Sequence, residues 1–112
     1  MRFLFSLFLS FFTVYTLTIR SSFAQEIDLD AGEQVFSQNC VACHAGGNNS
    51  VSPLKTLKLD ALSTYSKDSI EAIKYQVENG AGAMPAFADR LSDEEIYNVA
   101  NFVLNQSKNN NW

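Results

Sequence analysis

The sequence predicts an all-α domain of about four helices, and three observations carry that expectation. Apolar residues recur at three- and four-residue spacing in separate stretches, which is how a helix with one buried face reads. Two of those stretches open on a Ser or Asp with a Glu three residues later, the signature of a capping box. Few breakers interrupt them, since the chain holds only Gly 5 and Pro 2, and no strand-rich pattern is visible.

Taken in order, residues 1–24 read as a cleaved targeting peptide rather than as structure. Arg2 supplies a positive start, Phe3 to Ile19 is mostly Phe and Leu broken by Ser and Thr, and Ser22-Phe23-Ala24 offers small residues for a signal peptidase. An uncleaved anchor helix is the alternative, because the apolar run approaches the roughly 17 residues that span a bilayer. Cleavage at Ala24-Gln25 leaves residues 25–112 as one small domain. It also removes Arg2 and Arg20 but no acid, taking the formal charge from −4 to −6. Such a balance argues against nucleic acid and anionic membrane surfaces and for basic protein partners.

The first helix is expected to start near Asp28 or Asp30, either of which can cap it, and to run toward Cys40. Leu29, Gly32, Val35 and Phe36 share one face at helical spacing. Gly32 inside a helix costs about 1 kcal/mol against Ala, which makes sense where another helix crosses in close contact. From Ala45 to Pro53 the residues are those of a loop, and a short helical piece is expected around Asp60 to Tyr65.

A longer helix follows, with Asp68 and Glu71 as its capping box, Ile70, Ala72, Ile73, Tyr75, Gln76 and Val77 in its body, and Gly80 at its stop. The loop Ala81 to Arg90 contains Met84-Pro85. The last helix opens on Ser92 with Glu95 as box partner, and its apolar stripe is Ile96, Val99, Ala100 and Val103 with Phe102 on the flank. Asn109 to Asn111 should fray unless the indole of Trp112 packs back onto the body.

Chemistry concentrates in Cys40-Val41-Ala42-Cys43-His44. Two thiols three apart with an imidazole immediately after are the attachment signature for a c-type haem. The cysteines add across the two vinyl groups as thioethers, and the histidine beside the second faces the iron as its proximal ligand. Two other chemistries use the same residues. A Cys-x-x-Cys thiol redox site is expected beside a strand-helix-strand pattern. A zinc site needs about four nitrogen or sulfur ligands, whereas the chain has Cys 2 and His 1, so only carboxylates could complete the set.

Haem attachment also suits the domain's size and compartment. A chain this short buries a modest core, which a large flat hydrophobe would fill. Export fits, because c-type haem is generally attached on the far side of an energy-transducing membrane, and with both cysteines occupied no disulfide is expected.

Iron held by His44 alone leaves an open position for oxygen or peroxide, as in a small peroxidase or gas sensor. A second protein ligand closes it and favours electron transfer. Besides the initiator, Met84 is the only methionine, 40 residues beyond His44 and directly before Pro85. A gap-filling core methionine is the plain alternative. Met84 instead lies outside any helical stripe, and Pro85 biases it toward an extended backbone that can push its side chain across an open face. A thioether is a soft neutral donor, so a His44/Met84 pair raises the reduction potential and suits a relatively oxidising one-electron carrier. With His44 committed to iron, no imidazole remains as a general base, and nothing else reads as catalytic.

These residues resemble the class I c-type cytochromes, and among them the cytochrome c6 family of soluble photosynthetic carriers in algae and cyanobacteria. The resemblance runs through Asp30-Ala31-Gly32-Glu33-Gln34-Val35-Phe36, Asn39 to Asn48, Lys55-Thr56-Leu57, Gln76-Val77-Glu78-Asn79-Gly80, Ala83-Met84-Pro85-Ala86-Phe87, Arg90-Leu91, Ile96 to Leu104 and Trp112. It implies a class I cytochrome c fold, about four helices wrapped around one covalently bound haem c. By position it implies Cys40 and Cys43 as thioether sites, His44 and Met84 as axial ligands, Gln76 near the haem edge adjusting its potential, and Arg90 in docking.

Ordinary packing and surface solvation are the alternatives for Gln76 and Arg90. Phe102 stands where the family is expected to carry Tyr, losing a hydroxyl but keeping aromatic packing against Gly32 and Phe36. The implied role is transfer of an electron from cytochrome f of the cytochrome b6f complex to photosystem I. The protein would be a monomer in the thylakoid lumen, with both partners transient and no stable membrane insertion. A carrier of the same class feeding a terminal oxidase or another periplasmic acceptor is the nearest alternative.

Overall fold

A computed structural model describes residues 26–112, so the proposed targeting peptide lies outside the described residues. Five α-helices follow in order: α1 (Leu29–Asn39), α2 (Val41–His44), α3 (Leu59–Thr64), α4 (Ile70–Asn79) and α5 (Asp93–Lys108). A 3₁₀ turn, Ala45–Gly47, continues α2, and the sole strand-like feature among the described residues is an isolated bridge between Ala81 and Met84. The domain is all-α, as expected.

Helix α1 begins where Asp28, in extended conformation, accepts a hydrogen bond from the Ala31 N–H at 3.0 Å. Asp30 falls in the first turn instead, where its charge suits the positive end of the helix dipole. Gly32, Val35 and Phe36 are buried as their spacing predicts, but Leu29 is exposed. It sits in the first turn, beside a cleft it shares with Ile27, Asp28 and Glu94, and not under the crossing helix.

That crossing explains Gly32. A Cβ there would come within 2.8 Å of Phe102 Cβ and of the Asn98 carbonyl carbon, so α1 and α5 touch backbone to backbone. Phe102 fills the flank, its ring centroid 5.5 Å from that of Phe36. The side chain of Asn98, buried on α5, accepts from the Asp28 N–H at 3.3 Å and ties the start of α1 to the same helix.

Helix α5 carries the capping box read from Ser92 and Glu95, with reciprocal bonds of 3.2 and 3.0 Å. Its Ile96, Val99, Ala100, Val103 and Leu104 form the centre of the core with Val35, Phe36, Ile73, Val77 and Phe87. The capping box predicted for α4 from Asp68 and Glu71 does not form, and a single side-chain cap one residue later replaces it. Ser69, not Asp68, is the cap and accepts from the Ala72 N–H at 3.1 Å. Asp68 is instead engaged by the Ser63 hydroxyl at 3.2 Å, across the turn after α3. Helix α4 then ends on Gly80 at φ +68, a left-handed stop at no steric cost for glycine. Past α5 the indole of Trp112 packs back onto the body, the alternative to fraying, with ring centroids 5.3 Å from Phe36 and 6.1 Å from Phe102.

Candidate functional site

The Cys-x-x-Cys-His segment sits where α1 hands over to α2. The Cys40 N–H closes α1 on the Phe36 carbonyl at 2.9 Å, and the Cys40 carbonyl accepts from the amides of Cys43 (3.2 Å) and His44 (2.9 Å). One tight turn therefore gathers both sulfurs and the imidazole. Cys40 is half-buried against the core, and burial pushes its thiol up to about 11; Cys43 is exposed. Burial therefore disfavours Cys40 as the attacking thiol of a redox pair, which needs a lowered pKa. Nor does a zinc set assemble: among the described residues no group of three or more His, Cys, Asp or Glu side chains converges. The strand-helix-strand frame of a thiol oxidoreductase is likewise missing among them.

His44 is half-buried and oriented through its other nitrogen. Its Nδ1 lies 2.8 Å from the Asn48 carbonyl oxygen, so Nδ1–H donates and the Nε2 lone pair is left for a metal. The acceptor is itself fastened. The Asn48 N–H bonds to the Ala45 carbonyl (3.2 Å), and the Leu57 N–H bonds to the Gly47 carbonyl (2.7 Å). Within this loop the Asn49 side chain accepts from Val51 and Ser52 and donates to the Lys55 carbonyl at 2.9 Å.

Met84 is half-buried and packs against the core cluster, as Cys40 does. Its loop is pinned: Ala81 and Met84 exchange backbone bonds of 3.1 and 2.9 Å, and the Phe87 N–H reaches the Val77 carbonyl at 2.9 Å. Gly80 permits this close return, since a Cβ there would stand 2.8 Å from the Pro85 carbonyl carbon and the Ala86 nitrogen. Gln76 is half-buried on the last turn of α4, its carbonyl taking the Gly80 N–H at 2.8 Å. Arg90 is exposed and lies over the Phe87 ring, 5.7 Å from its centroid. The motif thus occupies the α1–α2 junction, while Met84, Gln76 and Arg90 belong to the unit formed by α4 and its trailing loop.

The Asn48 carbonyl, a backbone atom, was invisible to the sequence, and the return of Trp112, left open there, reaches Leu57 across 55 positions. The Asn-rich loop hinted at turn chemistry but not at which carbonyl would face His44.

The donor set suits a haem: two unpaired thiols on one turn, an imidazole with a free Nε2, and a neutral thioether on a braced loop. Apolar side chains left uncovered by protein accompany it, Val41 in the motif itself and Val51 and Leu54 just after it. Fold and donor set together define a c-type cytochrome of class I.

The chain matches the family described as cytochrome C oxidase, cbb3-type, subunit III, over residues 27–103. It is 58% identical to cytochrome c6 of Gracilaria tenuistipitata var. liui over 97% of this chain and 98% of that one. It is 59% identical to cytochrome c6 of Picosynechococcus, covering 76% and 79%. Its fold is similar to that of cytochrome c6 from the diatom Phaeodactylum tricornutum, with TM-score 0.72, 51% identity and coverage of 73% and 97%. The chain belongs to the cytochrome c6 family, carries one covalent haem c, and is an electron carrier.

Proposed function

We propose that this protein moves single electrons from cytochrome f of the cytochrome b6f complex to photosystem I in the thylakoid lumen. In this reading Cys40 and Cys43 hold the haem as thioethers and His44 and Met84 are the axial pair. Bound haem c supplies an iron that takes up and releases one electron.

The chain's residues do the rest. The Nδ1–H bond to the Asn48 carbonyl orients His44 and raises its basicity. Met84 offers a neutral sulfur that favours the ferrous state and leaves no position for small ligands. Gln76, one turn before Gly80, is assigned to adjusting the potential. Arg90, held over Phe87 at the surface, is assigned to docking. Residues 1–24 are read as the peptide removed after export, leaving 25–112. Among the described residues no helix is long and apolar enough to cross a membrane.

The observation that carries this reading is the brace on Met84. Its loop is closed on itself and bonded to the end of α4, so the sulfur is offered with little ordering cost, as a carrier with a closed iron requires. The acidic balance of residues 25–112 suits steering onto basic docking sites, and transient redox contacts of this kind bury little area.

Flash oxidation of photosystem I in the presence of reduced holoprotein is the direct test. The reaction centre should be re-reduced at a rate proportional to carrier concentration, falling as salt rises. No re-reduction would refute the assignment, and a rate indifferent to salt would refute steering. The family match to an oxidase subunit over residues 27–103 supports a second reading, delivery to a terminal oxidase. Faster oxidation by such an oxidase than by photosystem I would favour it.

A further inference from the structure

Trp112 makes a set of contacts that neither core packing nor the iron ligands account for. Its indole N–H donates to the Leu57 carbonyl at 3.1 Å and lies 3.3 Å from the Ser107 hydroxyl, which bonds to the same carbonyl. Its ring covers Gly47, which is buried at φ +73; a Cβ there would stand 2.8 Å from Trp112 Cδ1. Gly47 and Leu57 are joined by their own backbone bond of 2.7 Å. One side chain therefore grips both ends of the loop from Gly47 to Leu57. Directly after Gly47 comes Asn48, whose carbonyl accepts the His44 Nδ1–H.

We propose that Trp112 is a positioning residue for the proximal imidazole. By pinning Gly47 and Leu57 it holds the Asn48 carbonyl against His44, and so sets how strongly that imidazole donates to iron. The inference rests on the reading of His44 as an iron ligand. A firm Nδ1–H···O bond makes the imidazole a stronger donor and stabilises the ferric state. Loosening it weakens donation, so the reduction potential rises. Phe36 and Phe102 supply the wall on which the indole turns, with centroids at 5.3 and 6.1 Å.

The test uses holoprotein with Trp112→Phe and Trp112→Ala, and Leu62→Ala as a stability control in α3. Two quantities are read: solvent exchange of the His44 Nδ1 proton by NMR in the ferrous state, and the midpoint potential. Trp112→Phe keeps a ring over Gly47 but loses the bond to Leu57, so exchange should quicken by about threefold. Trp112→Ala loses both, giving about tenfold or more.

The potential should rise in the same order. For Trp112→Ala a threefold shift in the ferrous-to-ferric ratio is expected, ~30 mV at 59 mV per tenfold for one electron. Rescue of both readouts in the order Ala, Phe, Trp supports the proposal. Unchanged exchange and potential in both variants overturns it, as does an equal rise in Leu62→Ala. Should Trp112→Ala fail to accumulate as holoprotein, Trp112→Phe decides alone.

The two readings fail separately. If His44 were not a ligand, its ring protons in the unsubstituted protein would lack the large upfield shifts of a group held over a porphyrin face. If only the Trp112 proposal failed, those shifts would stand while exchange and potential ignored the substitutions.

Discussion

Gly32→Ala probes the crossing on which the site is built. Taken alone, alanine should stabilise α1 by about 1 kcal/mol, because it removes glycine's backbone freedom in the unfolded chain and suits a helix. The crossing opposes this. The new Cβ would stand 2.8 Å from Phe102 Cβ and from the Asn98 carbonyl carbon, where ordinary contact begins at 3.4 Å. Backbone cannot rotate aside as a flexible side chain can, so the two helices must part by several tenths of an ångström.

Parting them loosens Val35, Phe36, Val99 and Phe102 together. The cost belongs at the upper end of the roughly 1–3 kcal/mol typical of an overpacked core. Net destabilisation should be about 2 kcal/mol. For a domain of this size that lowers Tm by about 8–16 °C. Because α1 runs straight into Cys40, the displacement should also register in the visible spectrum near the haem. Thermal unfolding of the holoprotein by circular dichroism is the assay. A Tm equal to or above that of the unsubstituted protein would show that α1 and α5 do not meet at Gly32.

Three other outcomes are expected. Met84→Ala should lower the midpoint potential by on the order of 100 mV, within the roughly 0.8 V that axial ligands command, and should abolish the sulfur-to-ferric-iron charge-transfer band. It should also open the ferrous protein to carbon monoxide; an unaltered spectrum and potential would remove Met84 from the iron. Arg90→Glu should slow electron delivery to photosystem I by about tenfold at low salt, with the gap closing as salt rises and the spectrum unchanged. Stopped-flow or flash kinetics would show this, and normal kinetics would take Arg90 out of docking. Ser92→Ala removes the hydroxyl that caps α5 and breaks the reciprocal bond with Glu95, so it should cost about 1 kcal/mol and about 4–8 °C in Tm. Calorimetry showing no loss would mean that the cap is dispensable in the folded protein.

Local chemistry made much of this legible before any coordinates. The start of α5 at Ser92, the stop of α4 at Gly80 and the cap of α1 at Asp28 depend on residues within four positions of one another. Helix α4 shows the limit of that reasoning. Asp68 and Ser69 both have capping side chains and stand side by side, and the choice fell to Ser69 because the turn after α3 brings Ser63 to the Asp68 carboxylate. Leu29 fits the helical stripe by spacing but borders an open cleft beside Glu94, so periodicity alone assigned it a burial that packing does not supply.

The pentapeptide Cys40 to His44 marked, without any tertiary information, a chain that holds a haem, and the lone internal Met84 marked the proposed second ligand. Those properties belong to side-chain chemistry and short spacing. Which carbonyl turns His44, which helix backbone demands Gly32 and what Trp112 rests on were decided only when α1, α5 and the loop after His44 packed together. The Asp28–Asn98 and Leu57–Trp112 bonds join residues 70 and 55 positions apart. No local preference encodes such pairings; they follow from the packing of α1, α4 and α5 around one core, in which the buried side-chain polar atoms of the described residues all find partners.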